Sequence, residues 1–137
     1  MQRSENIEAL ADALSKTQGA MKPAAKDEVN PFFKSKYADL AAVWEACRKP
    51  LADNGLSVIQ IIGNDNEKIT VETTLLHKSG QWVSSLLGLK PVKEDPQAVG
   101  SLITYLRRYS LAAMLGIAAE NDDDAEVLVF KQAIALG

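Results

Sequence analysis

The sequence predicts an α+β domain, a three-stranded antiparallel β-meander flanked by helices in the order α-α-β-β-β-α. Three observations predict it. Two stretches with helical apolar spacing come first, three strand-like runs joined by tight turns follow, and one long amphipathic stretch comes after them. Helices segregated from an antiparallel run of strands are the α+β pattern, with the helices covering one face of the sheet.

The first helix is set by Ile7, Leu10, Ala11 and Leu14, with Ser4 placed as its N-cap. Residues 18–30 then read as a loop, marked by Gly19, Pro23 and mixed charge. A second helix starts near Ala38, and Leu40, Val43, Trp44, Cys47 and Leu51 form its apolar stripe. It closes before Gly55, with Pro50 bending its last turn. Residues 56–62 are rich in Ile and Val, and Asn64, Asp65 and Asn66 make a turn. Residues 67–77 alternate, with Ile69, Val71, Thr73 and Leu75 on one face. Lys78, Ser79 and Gly80 turn the chain into a third strand over residues 81–90. A charged connector, residues 91–96, leads to a helix from Pro96 to Leu115, with Pro96 where helices favour proline. One polar stripe holds Gln97, Ser101, Thr104 and Arg108, with Arg107 beside it. Val99, Leu102, Ile103, Leu106, Ala113 and Met114 fill much of the other side.

Length and composition bound the function. At 137 residues with 47% apolar content, the chain builds one domain with a real core. The lone cysteine, Cys47, excludes an internal disulfide and reads as a packed, inert thiol, which fits a reducing cytoplasm. With His77 it offers at most two soft ligands, too few for a structural zinc site within one chain. No run of 18 apolar residues and no basic-then-apolar N-terminus occurs, so neither a membrane span nor a signal peptide is expected. The net charge of −3 is uneven, since Glu120, Asp122, Asp123, Asp124 and Glu126 carry five negative charges and the remainder sums to −3 + 5 = +2. A mildly basic remainder can hold a local positive groove, though it does not make a purely electrostatic DNA coat.

Two constellations point to nucleic acid. Hydroxyls and guanidinium groups share one face of the last helix with almost no carboxylate nearby. Arginine brings a planar fork for phosphate and a flat face for stacking. From spacing alone, a surface helix with merely solvated arginines is slightly the favoured reading. The block NPFFKSKY, residues 30–37, interleaves Phe32, Phe33 and Tyr37 with Lys34 and Lys36. Aromatic stacking plus lysine–phosphate contact is the chemistry of sequence-tolerant single-strand binding, about 1–3 kcal/mol per stacked base. Tyr37 is the better stacking candidate, since at least one of the phenylalanines is expected in the core. Lys78, Lys90 and Lys93 add positive charge at the second hairpin and the connector. No GxxxxGK[ST] loop is present, which excludes an ATP-driven strand-exchange motor, and no Ser-His-Asp or Cys-His arrangement stands out.

Three blocks together carry a family resemblance: NPFFKSKYADL (residues 30–40), TTLLHKSGQW (73–82) and DPQAVGSLITYLRRYSLAAMLGIAAENDDD (95–124). The pattern resembles the signature of the ERF (essential recombination function) family of phage single-strand DNA annealing proteins, over residues 5–125. The resemblance implies a β-β-β-α core and ATP-independent binding and pairing of complementary strands in recombination. It also implies rings or filaments of identical subunits, work in the host bacterial cytoplasm beside a host single-strand-binding protein, no cofactor and no covalent step. It raises Lys34, Ser35, Lys36 and Tyr37 together, and Ser101, Thr104, Tyr105, Arg107 and Arg108, as DNA contacts, with Gln97 on the same stripe. Tyr109 is expected in the core, and Gly100 is expected to permit close helix–sheet packing or close backbone approach.

Two alternatives come from other classes. One is a Mg²⁺-dependent nuclease built on the acidic run 120–126, which also reads as a solvated boundary or as a salt-bridging partner for a neighbouring subunit. The other is an interaction module of a recombination or replication complex. Residues 1–125 are expected to form the annealing core. Residues 126–137 form an apolar tail, either a docking helix or the start of a further region.

Overall fold

The computed structural model describes residues 1–29 and 36–119, Lys36 by its backbone alone. The order is β1 (Gln2–Arg3), α1 (Glu8–Ala20), β2 (Glu28–Val29), β3 (Lys36–Tyr37), α2 (Leu40–Asp53), β4 (Leu56–Asp65), β5 (Lys68–His77), β6 (Trp82–Leu89) and α3 (Pro96–Leu115). The class is α+β, but the main sheet has four strands, ordered β1-β6-β5-β4 and antiparallel throughout, where three were expected. The added strand, β1, sets Gln2 opposite Ser84 and Arg3 opposite Val83. A second, two-stranded sheet pairs β2 with β3, so part of the expected loop is a short ladder joining Glu28 to Tyr37.

The three helices of the described residues share one sheet face. The alternation along β5 explains why. Val71, Thr73 and Leu75 are fully buried, while Glu72 between them points to the opposite face and is exposed. Leu10 of α1, Val43, Cys47 and Leu51 of α2, and Leu111 and Leu115 of α3 close over Leu75 as one core. The reverse face keeps Ile59, Ile61 and Leu86 at 45%, 58% and 63% exposure.

Local chemistry sets the helix ends. Asp39 and Asp95 cap α2 and α3, accepting hydrogen bonds from the backbone N–H of Ala42 (2.8 Å) and Ala98 (2.9 Å). Helix α2 begins two residues later than expected, at Leu40, because Asp39 takes the cap. Helix α3 ends at Gly116, whose φ of 75° is the left-handed geometry glycine adopts without strain. Gly55, past the end of α2, has φ 70°, and a methyl group there would meet the Lys78 side chain at 2.8 Å.

Several expectations are corrected. Ser4 does not cap α1. Its hydroxyl accepts from the Trp82 N–H (3.0 Å) and donates to the Asn6 carbonyl (2.8 Å), while Asn6 Oδ1 receives the Glu8 N–H (3.0 Å). Helix α1 runs on to Ala20 and buries Leu10, Ala13 and Thr17, leaving Ala11 exposed. Strand β4 continues through Asn64 and Asp65, so the turn falls at Asn66, which has φ 57°. On α3, Ala113 is exposed and the buried positions are Leu106, Ser110, Leu111, Ala112 and Leu115. Among the described residues, no helix is long and apolar enough to cross a membrane.

Candidate nucleic-acid interface

The fold brings two distant parts of the chain together at Arg108. The guanidinium carbon lies 4.7 Å from the Tyr37 ring centroid and 4.7 Å from that of Tyr109, with Tyr105 at 6.0 Å. These distances are within the roughly 6 Å at which a cation feels the negative face of an aromatic ring. Tyr105 and Tyr109, one helical turn apart, have centroids 4.5 Å apart and planes tilted by 42°. Tyr109, expected in the core, is half-buried and belongs to this cluster. Its spacing from Tyr105 was the available signal, but Tyr37 could not be placed there by spacing.

Tyr37 is held from both sides. Its backbone pairs with Glu28 in the β2–β3 ladder, and the next residue, Ala38, is fully buried and donates its N–H to the Ala119 carbonyl at 2.8 Å. The segment after α3 therefore pins the strand that carries Tyr37, while α3 itself supplies Arg108. A guanidinium carries its N–H donors at its edges, and a phosphate oxygen is hydrogen-bonded in the guanidinium plane while a ring lies against its face. The Tyr37 ring face turned toward Arg108 is correspondingly taken.

Arg107 lies against the sheet. Its Nε donates to Gln60 Oε1 (3.4 Å), and its backbone carbonyl accepts from Gln60 Nε2 (3.0 Å). Gln97, Ser101 and Thr104 are exposed along α3, Thr104 Oγ1 donating to the Gly100 carbonyl at 3.2 Å. From Gln97 to Arg108 the stripe is about 16 Å long at the helical rise. Nothing lies within 4 Å of where a Gly100 side chain would start, so helix–sheet packing does not account for that glycine.

The remaining candidates lie apart from Arg108. Lys78 is in the β5–β6 turn, five residues along β5 from Thr73 and thus about 17 Å from the level of Arg107. Lys90 is paired with Glu67 at 2.6 Å near the β4–β5 turn. That hydrogen bond and charge lower the Glu67 carboxyl's pKa and raise that of the Lys90 ammonium. Both groups are largely exposed, so the pair contributes little to stability. Lys93 is exposed in the connector. Lys34, Ser35, the Lys36 side chain, the acidic run 120–126 and the tail 126–137 lie outside the described residues. Among the described residues, no three His, Cys, Asp or Glu side chains gather closely enough to hold a metal ion.

The ERF superfamily model matches residues 10–132, nearly the whole chain. Neither the curated proteins nor the solved structures contain a match.

Proposed function

The chain belongs to the ERF superfamily, and on that premise we propose that it binds single-stranded DNA and anneals complementary strands without ATP. Family membership supports the coarser part, a role in recombination and strand annealing. The observation that carries the finer part is Arg108 lying against Tyr37 and Tyr109 on the flank of α3. Two blocks 71 residues apart meet there to orient one cation.

In this reading the protein holds a strand by its phosphates. Arg107 and Arg108 supply the charge, and the hydroxyls of Ser101 and Thr104 and the amide of Gln97 continue the track along α3. Bases stay outward, where a complementary strand can pair with them. Base pairing supplies the chemistry, and the protein contributes charge screening and local concentration, so no covalent step is needed. Lys34, Ser35, Lys36, Tyr105, Lys78, Lys90 and Lys93 remain proposed contacts, Lys78, Lys90 and Lys93 reaching a strand away from the Arg108 cluster.

We further propose that subunits assemble into rings or filaments. Strand β4 supports this, because it is ten residues long and lies at the edge of the sheet. An edge strand normally blunts itself with charge, whereas β4 carries Ile59, Ile61 and Ile62 at 45%, 58% and 52% exposure. With few positive charges per chain, many weak sites along one strand add by avidity.

The test is annealing of two complementary fluorescent oligonucleotides without ATP, at two salt concentrations, with and without Mg²⁺. Salt-sensitive acceleration with intact strands is the expected result. Strand shortening that requires Mg²⁺ would replace this reading with a nuclease. A complete lack of affinity for single strands at low salt would favour an interaction module.

A further inference from the structure

We infer that Gln60 is a positioning residue that holds Arg107 for the phosphate track, a role that rests on the proposed single-strand binding. Residues 56–62 read as a strand rich in Ile and Val, and Gln60 is the one amide in that run. Its register explains its reach. Gln60 pairs with Thr73, and Thr73 with Ser85, so a polar row crosses the middle of the helix-covered sheet face directly beneath Arg107.

The amide is held at both ends. Nε2 donates to Thr73 Oγ1 at 3.2 Å and to the Arg107 carbonyl at 3.0 Å, and Oε1 accepts from Arg107 Nε at 3.4 Å. The chemistry fixes its orientation. A guanidinium N–H only donates and a carbonyl only accepts, so both contacts require the same setting of the amide. Thr73 is fully buried in the central strand, which gives the clamp a rigid base.

One residue thus grips Arg107 by its main chain and by the root of its guanidinium. The terminal Nη groups have no partner among the described residues. They are the fork that a phosphate needs. Arginine side chains lose much freedom when ordered, and a clamp already made in the free protein removes part of that cost from binding.

The test is a double-mutant cycle with single-stranded oligonucleotide as probe, beside NMR relaxation of the arginine Nε–H groups. Gln60→Met keeps the length and removes both polar ends. It should weaken binding about 2- to 10-fold, the cost of ordering one long side chain. It should have no further effect in an Arg107→Ala background. The Arg107 Nε–H should become mobile in Gln60→Met while that of Arg108 is unchanged. Gln60→Glu, which keeps the acceptor, should restore Arg107 order. Equal losses in both backgrounds, or an Arg107 Nε–H as ordered in Gln60→Met as in wild type, would overturn the role while leaving strand binding intact. Wild-type protein with no affinity for single strands would overturn the proposed function and the positioning role together. The NMR arm would then still report whether the clamp exists.

Discussion

Removing the contact between Tyr37 and Arg108 tests the centre of the proposed interface. The guanidinium carbon lies 4.7 Å from each of two ring centroids, and each such contact at a partly exposed site contributes about 0.5–1 kcal/mol. Arg108→Ala should therefore lower stability by about 1–2 kcal/mol, a fall in Tm of about 4–8 °C for a domain of this size. Tyr37→Leu preserves apolar bulk and should lose about half as much through this contact. Urea unfolding of wild type, each single variant and the double variant isolates the pair from whatever else Arg108 touches. The expected coupling is about 0.5–1 kcal/mol. Strand binding separates charge from orientation. Arg108→Ala should reduce the slope of log affinity against log salt by about 0.7, the value for one phosphate contact on a single strand. Tyr37→Leu should weaken binding with the slope unchanged, because the charge remains. A coupling below about 0.3 kcal/mol, within ordinary non-additivity, would refute the idea that Tyr37 orients Arg108.

Further outcomes are expected at four other residues. Asp95→Ala removes the oxygen that receives the Ala98 N–H and should cost about 1 kcal/mol in thermal unfolding, since that cap fixes the start of α3. Gly100→Ala meets open space in a helix and should raise stability by about 0.5–1 kcal/mol, so a simultaneous loss of strand affinity in a binding assay would show that DNA backbone approaches there. Ile61→Lys, at an edge position 58% exposed, should lower the assembly mass measured by light scattering while leaving the melting temperature within a few degrees. Cys47 is buried and desolvation raises its thiol pKa, so native protein should resist iodoacetamide at pH 8 while unfolded protein reacts. Because the folded pKa lies above the unfolded one, stability should be fully present below about pH 8.5 and decline above it as the unfolded thiol ionises.

What could be read from the sequence was whatever local chemistry decides. Helix α3 carries Asp95 and Pro96 at one end and Gly116 at the other, and its bounds were legible from those residues. The face of β5 bearing Val71, Thr73 and Leu75 was legible from a period of two. Strand β1 was not, because Gln2 and Arg3 have no apolar pattern and become a strand only when β6 is beside them. Ser4 looked like a cap by type, yet Trp82 claims its hydroxyl. Ala11 and Ala13 are equally apolar, and only the packing of α1 decides which is buried. The polar stripe of α3 was visible in the sequence. The pairing of Arg108 with Tyr37, and of Arg107 with Gln60, depended on contacts 71 and 47 residues apart.

The bonds joining Ser4 to Trp82 also set a schedule for synthesis. They span 78 residues, and Leu10 N–H likewise depends on Gln81 Oε1, 71 residues downstream. At about 5–20 residues per second, the ribosome takes roughly 4–16 s to make what lies between. The first part of the domain to leave the ribosome is thus the part whose partners arrive late. Until the β5–β6 turn and β6 emerge, the Leu10 N–H lacks its Gln81 acceptor and the β1 segment has no strand to join. Closure of that sheet edge therefore waits for β6, and a chain stalled before Gln81 would hold its β1 segment unpaired and open to any chaperone or protease that reaches it.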